Sequence, residues 1–310
     1  MPLYKYLAPE RTDILKNGFI RFTQPSAFND PFETFPCFTN GLTDERIQES
    51  LSKHKIGKQE LEEMLKAKLE ANISKYPGAR VPPFELIKEL PFVKNMLDQV
   101  NPITDSLFKQ FMSGEGEFFS NHIVRSFLEA INAEFGVLCL TEKRNNLLMW
   151  AHYSASHSGF VVEFDEKHQF FDRREKPEEL GRYLKKVRYT EVRPQTVLFE
   201  KNLKQDNNRN VWADTFFFSK SAHWAYEEEW RMVEYIRECQ NIVSVEPHNI
   251  YLFPVPMDCI TGIIFGCRTL DTTKSIIKHL MHTNPACSHI RLSEAVIDKK
   301  DYKLNFITIT

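Results

Sequence analysis

The chain has 310 residues, 42% of them hydrophobic and 26% charged, with a formal net charge of −2. That length suffices for one large domain or for a core with a substantial insertion. The near-neutral balance argues against a broad, non-specific grip on nucleic acid, which draws on a basic surface, and leaves room only for a local basic groove.

Leu3–Leu7 reads as a short strand and Thr12 as the cap of a one- or two-turn helix through Asn17, closed by Gly18. Phe19–Thr23 alternates apolar and polar residues as a strand does. Pro25–Pro31 then carries the turn chemistry of Asn29-Asp30-Pro31. From Thr43 to Ala133 the character changes. Leu61, Met64, Leu65 and Leu69 recur at helical spacing, and prolines punctuate later helices. This stretch reads as a helical insertion, 43–133, in a core formed by 1–42 and 134–310.

Strand patterns return at Gly136–Thr141, followed by a short helix over Asn145–Tyr153 and a strong strand at Gly159–Asp165. Lys185–Thr190 is expected as one strand and Arg209–Lys220 as a helix, with Phe216–Phe217–Phe218 buried on more than one face. Glu229–Tyr235, Tyr251–Val255 and Ile260–Phe265 read as strands, Thr272–Met281 as a helix and His289–Ile297 as a late strand. The order predicts an α+β protein with a mostly antiparallel, mixed β core and a large helical insertion, not a doubly wound parallel sheet.

The six cysteines fit no zinc pattern, and no apolar run approaches the roughly 18 residues of a membrane span. Met1–Tyr6 leads into charged Glu10, Arg11 and Asp13 rather than the apolar stretch of a signal peptide. The expectation is a cytoplasmic protein with reduced thiols and no membrane partner.

Three segments carry the candidate chemistry. In Ser26–Glu33, two Phe anchor a loop that presents Ser26, Asn29 or Asp30 to a ligand, or simply close a rigid turn. In Asn145–Asp165, a helix places Asn146, Met149, Trp150 and Tyr153 on one face and His152 elsewhere. Those aromatics either form a core cluster or stack on a ring, with His152 or His157 bonding a phosphate or ribose. Gly159 marks a point of close backbone approach. A metal set of His152, His157, Glu163 and Asp165 has no specific spacing. In Trp224–Arg231, a strand beginning at Glu229 puts Glu229 and Arg231 on one face and Trp230 on the other. The pair is either a surface ion pair or a carboxylate poised to stabilise a positive centre.

Taken together, Leu3-Tyr4-Lys5-Tyr6, Ile14 through Glu33, Leu148-Met149-Trp150-Ala151-His152-Tyr153 through Phe160, and Tyr226 through Arg231 resemble a bacterial family catalogued as domain of unknown function 2971. The resemblance covers the N-terminus and about Gly136 to Cys267. The strand order is also similar to that of ADP-ribosyltransferases, with Lys5 or Tyr6, Thr23 or Ser26, and Glu229 in comparable places and Glu227 completing a Glu-x-Glu. The sequence departs from that pattern in having no Arg or His at the first position and no Ser-Thr-Ser after the second strand.

The similarity implies split sheets, a bound NAD, and a transferase or NAD-glycohydrolase acting as a toxin or antiphage effector. In that reading Glu229, Tyr6 and Ser26 are catalytic. Lys5, Asn29, Asp30, Trp150, His152, Tyr153, His157 and Arg231 hold the nucleotide, no metal is needed, and the acceptor is a protein or nucleic acid. A homo-oligomer is compatible with it. The alternatives are a non-catalytic nucleotide- or nucleic-acid-binding module and a metal-dependent nuclease.

Overall fold

The computed structural model describes residues 1–34, 37–39, 62–63, 66–67, 125, 128–175, 181–197, 214–246 and 248–309. Most of the expected insertion lies outside the described residues; 62–63, 66–67, 125 and 128–134 are helical. In chain order come β1 (Leu3–Leu7), α1 (Asp13–Asn17), β2 (Phe19–Phe22), β3 (Cys37–Thr39), β4 (Phe135–Thr141), α2 (Leu147–Tyr153), β5 (Phe160–Phe164), β6 (Leu184–Lys186), β7 (Arg188–Thr190) and β8 (Gln195–Val197). After these come β9 (Ser219–Ser221), β10 (Glu229–Tyr235), β11 (Asn241–Val243), β12 (Ile250–Pro254), β13 (Ile260–Phe265), α3 (Asp271–Thr283), β14 (Arg291–Ile297) and β15 (Leu304–Ile309).

Eight strands form one sheet in the order β15-β14-β13-β5-β1-β4-β10-β6. Its described pairings are antiparallel except β13–β14. A three-stranded sheet, β11-β12-β2, meets it at the Thr23–Val137 bridge. The architecture is α+β, as the strand-rich order implied. The two principal sheets are unequal and share a seam.

Alternation along β1 sorts the core. Leu3 and Leu7 join Leu138, Phe160, Phe164, Met232 and Phe265 on one face, with Ile277 of α3 packed over them. Tyr4 and Tyr6 join Met149, Trp150, Val161 and Ile264 on the other. A third cluster gathers Val137, Val233 and the fully buried run Phe216–Phe217–Phe218. Each buried phenylalanine stabilises the fold by about 1.5–3 kcal/mol. Two glycines are set by geometry. Gly18 ends α1 at φ 65. A Cβ on Gly159 would lie 2.0 Å from the Leu7 carbonyl oxygen, so no side chain fits where β5 starts beside β1.

Several elements differ from expectation. Lys185–Thr190 is not one strand. It breaks at buried Val187, so that β6 pairs with β10 while β7 pairs in parallel with β9. Of the expected Arg209–Lys220 helix, 209–213 lie outside the described residues, only 214–217 are helical, and Ser219–Ser221 is β9. The helix expected from Asn145 starts at Leu147, because Asn146 serves as its cap. Short β3, β8 and β11 and the terminal β15 were not foreseen.

Candidate functional site

Glu229 and Arg231 sit two residues apart at the start of β10, opposite Thr141 and Cys139 of β4, and therefore share a face. Arg231 grips Glu229 at both oxygens: Nε donates to Oε1 and Nη2 to Oε2, each at 2.8 Å. Arg231 Nη1 donates to the Phe217 carbonyl at 2.7 Å, and Nη2 is ion-paired with Glu33. Lys220 of β9 lies among the same carboxylates: 2.7 Å from Glu227, 3.2 Å from Glu229 and 3.5 Å from Glu33. All five side chains are buried. Three carboxylates face two cations, and Asp30 adds its charge toward Arg231.

The local sequence explains the placement. The 3-10 turn Ala222–Glu227, capped by Ser221, reverses the chain between β9 and β10, and Glu228 at φ 42 aims it into the strand. Glu227 therefore meets Lys220 from the turn and Glu229 meets it from the strand. The Asn146 side chain caps α2 by accepting from the amides of Leu148 and Met149, while its Nδ2 donates to the Tyr226 carbonyl at 2.8 Å. That bond fixes α2 against the turn. About two helical turns on, Tyr153 Oη donates to Glu227 Oε1 at 2.6 Å. Asn29 Nδ2, in the exposed loop after β2, donates to Tyr153 Oη at 3.0 Å. A continuous chain of bonds thus runs from exposed Asn29 through half-buried Tyr153 to Glu227, Lys220 and Glu229.

Burial alone would lower Lys220, but Glu229 and Glu227 outweigh it, so its ammonium is held above the ordinary lysine value. Burial pushes the Glu229 carboxyl up, opposed by Lys220 and reinforced by Glu227. Burial pulls Arg231 down to about 9, against the charge of Asp30; the guanidinium stays charged at neutral pH. Tyr153 is pushed up by burial and then by the charge of Glu227, so its phenol stays protonated and donates.

Of the residues expected at a site, Asn29, Asp30, Tyr153, Glu229 and Arg231 are brought together. Glu229, expected as catalytic, has both oxygens taken by Arg231 and one also by Lys220. Trp150 is corrected from ligand-stacking to core. It is fully buried, donates Nε1 to the Arg144 carbonyl, and is edge-on to Tyr6 at 5.1 Å with His157 parallel at 6.2 Å.

Tyr6, expected as catalytic, is likewise buried in the core beside Trp150, and its hydroxyl donates to the Lys143 carbonyl. Ser26 is exposed, and its amide anchors the loop to Asn132 Oδ1. His152 is exposed on the far side of α2, as the helix face required. His157 packs on Trp150 at φ 71 with Nδ1 buried and unpartnered, and burial, then Arg268, lower its pKa, so the ring is neutral. Lys5 shares the Leu3–Leu7 face and donates to the Cys139 carbonyl at 2.9 Å.

The metal set does not converge. Glu163 is taken by Arg291 and Thr261, and Asp165 accepts from the Lys167 amide. Among the described residues, no group of three or more His, Cys, Asp or Glu is placed to hold a metal ion. Nor is any described helix long and apolar enough to cross a membrane. Lys220, Glu33 and Glu227 lay in or beside the three segments, Glu227 as the first carboxylate of the Glu-x-Glu, but none of the three was among the residues expected at the site. The one local signal was the Glu227-Glu228-Glu229 run, whose repulsion requires a cation that only the fold supplies.

Residues 149–232 match the family model described as "Protein of unknown function (DUF2971)". The match spans Tyr153, Lys220, Glu227, Glu229 and Arg231 and leaves out β1 and the Asn29–Glu33 loop. No curated protein and no solved structure matches the chain.

Proposed function

We propose that the Asn29–Tyr153–Glu227–Lys220 chain is the reacting edge of an enzyme that cleaves the nicotinamide–ribose bond of NAD, by glycohydrolysis or transfer to an acceptor. One observation carries this reading. A cluster with more carboxylates than cations is bonded to exposed Asn29 through Tyr153, and Glu227 is the carboxylate at that end. Excess negative charge held without water suits a centre that becomes positive, as the ribose does when its glycosidic bond breaks. Buried ion clusters are poor sources of stability compared with apolar packing of equal volume, so a role beyond stability is the economical account.

In this reading Glu227 stabilises the oxocarbenium-like ribose. Tyr153 and Asn29 bond ribose hydroxyls. Lys220, itself held by Glu229 and Glu33, keeps Glu227 in place, and Arg231 ties those two carboxylates together. Trp224 and Tyr226, half-buried with ring centroids 6.0 Å apart, offer faces for a planar base.

The test is nicotinamide release from NAD by purified protein, with and without cell extract as a source of acceptor. Glu227→Gln is expected to lower the rate by about 10²–10³-fold, the scale of losing one preorganised electrostatic group. Glu234→Gln, a buried carboxylate outside the chain, is expected to leave it unchanged. No release by wild type under either condition overturns the proposal.

The closed grip of Arg231 on Glu229 favours a second reading, a nucleotide-binding module without turnover. It predicts a higher melting temperature with NAD but no nicotinamide release.

A further inference from the structure

Tyr189 lies at the same cluster but takes no part in the bonded chain from Asn29 to Glu229. β7 runs parallel to β9 with Tyr189 opposite Lys220. The segment is sewn in on two sides: the Val187 amide donates to the Glu229 carbonyl at 2.9 Å, and the Arg188 amide to the Phe218 carbonyl at 2.8 Å. Half-buried Tyr189 then reaches β10, where its Oη accepts from the Glu229 amide at 2.8 Å. That amide is the first of β10, just after Glu228 at φ 42 turns the chain out of Ala222–Glu227. The phenol therefore sits on the backbone that joins Glu227 to Glu229.

Other hydroxyls around the cluster have their protons placed. Tyr153 donates to Glu227 Oε1, Thr141 to the Glu227 carbonyl, and Ser219 to the Asp214 carbonyl. Tyr189 differs. The Glu229 N–H occupies a lone pair of its oxygen, so the phenolic hydrogen points elsewhere, and among the described residues it meets no acceptor. Burial raises this phenol above its ordinary value; the Glu229 amide opposes that, and the charges of Glu229 and Glu227 reinforce it, so the hydrogen stays on at neutral pH. A half-buried donor is costly to leave without an acceptor from water or a ligand.

The donor and the carboxylates narrow the ligand chemistry. Ionised Glu227 accepts hydrogen bonds, and Tyr189 has one to give. A phosphate would accept from Tyr189 but is repelled by the carboxylates. An ammonium would suit the carboxylates but offers Tyr189 no acceptor. A sugar diol does both: its hydroxyls donate to a carboxylate and accept from a phenol.

We propose that Tyr189 is a ligand-binding residue of the candidate site, donating its phenolic hydrogen to a ribose hydroxyl oxygen of a bound nucleotide. This rests on the reading of the cluster as a nucleotide site and does not require turnover.

The experiment titrates ADP-ribose into the whole protein by calorimetry, for wild type, Tyr189→Phe and Tyr183→Phe, and measures nicotinamide release from NAD on the same samples. Tyr183, half-buried with the Arg174 guanidinium carbon 4.1 Å from its ring centroid, is the control phenol. Wild type is expected to bind ADP-ribose, Tyr189→Phe to bind it about fivefold more weakly, and Tyr183→Phe to differ by less than about twofold. In wild type, ADP-ribose should also slow acetylation of Tyr189 by N-acetylimidazole, read by mass spectrometry, and leave that of Tyr183 unaffected. This protection decides the matter if Tyr189→Phe does not fold. Weaker ADP-ribose binding in folded Tyr189→Phe supports the assignment even where wild type releases no nicotinamide, a result that defeats the cleavage reading alone. Nicotinamide release by wild type with the same ADP-ribose affinity in both proteins does the reverse. A lower melting temperature of Tyr189→Phe with unaltered affinity leaves the phenol the single task of holding the Glu229 amide and overturns the proposal. So does a wild type that binds no ADP-ribose, or whose Tyr189 is acetylated equally fast with and without it.

Discussion

Strand β10 carries a buried carboxylate near each end. At its start, Glu229 is bound to Arg231 and Lys220 and is linked through Glu227 and Tyr153 to Asn29. Toward its finish, Glu234 meets Arg173 at 2.6 Å and Arg182 at 3.7 Å. Burial raises both carboxyls, and in both cases cations oppose it. By burial and charge alone the two are alike. They differ in connection. The bonds of Glu229 lead inward to Arg231 and outward to exposed polar groups, whereas Glu234 sits on the opposite face of the strand and pairs with Arg173 and Arg182. A perturbed buried acid is therefore a weak sign of a site by itself. A bonded path from it to groups a ligand can touch is the stronger sign.

The largest expected effect separates the two ends by stability. Arg231→Met leaves Glu229 and Glu33 buried without their guanidinium and is expected to cost about 3–5 kcal/mol. Arg173→Met should cost less, about 1–2 kcal/mol, because its side chain is 28% exposed and Arg182 remains beside Glu234. Urea unfolding of both variants gives the comparison, and equal losses would erase the distinction drawn here.

Next in size is Tyr153→Phe, which cuts the path outward while keeping the ring. It should cost about 1 kcal/mol in the same assay, the net worth of a hydrogen bond. If Glu227 is the reacting carboxylate, it should also slow nicotinamide release by about tenfold, an effect a structural role alone does not produce.

The smallest effect is in pH. Lys220 has a folded-state value raised above the ordinary 10.5, so its contribution is fully present below that value and is lost as pH rises through the folded-state one. The stability gap between wild type and Lys220→Met should be flat from neutral pH to about 10 and narrow above it. At the other end of β10 burial lowers the Arg173 guanidinium instead of raising it, so by the same linkage the Arg173→Met gap should not narrow over that range. Parallel curves for the two variants would show that the lysine is not coupled as described.

The strand that carries both acids was readable to the residue, and the shared face of Glu229 and Arg231 follows from a period of two, even though both faces of the strand are largely buried. The helix face of Tyr153 was readable for the same kind of reason. What periodicity could not tell was which edge of that face is core. Trp150 and Tyr153 are three apart on one face; the first is enclosed by Tyr6 and His157, and the second stands at the rim. Lys220 and Glu33 are separated by much of the chain, so their meeting is a product of tertiary packing that no local pattern encodes. β15 was missed because Leu304–Ile309 follows the strongly polar Asp298–Lys303 turn and pairs only with β14. β11 was missed because its three residues are all exposed.

The place of β1 has a consequence for how the chain folds during synthesis. It is made well before its neighbours, yet it lies in the interior of the eight-stranded sheet, between β5 and β4. Its neighbours begin only at Phe135 and Phe160. At about 5–20 residues per second, the apolar Leu3–Leu7 segment waits many seconds for either partner to leave the ribosome. The sheet therefore closes around β1 late, through contacts distant in sequence, and this closure should be slow. During that wait both edges of β1 are open, and this is the interval in which the nascent chain most needs a chaperone's cover.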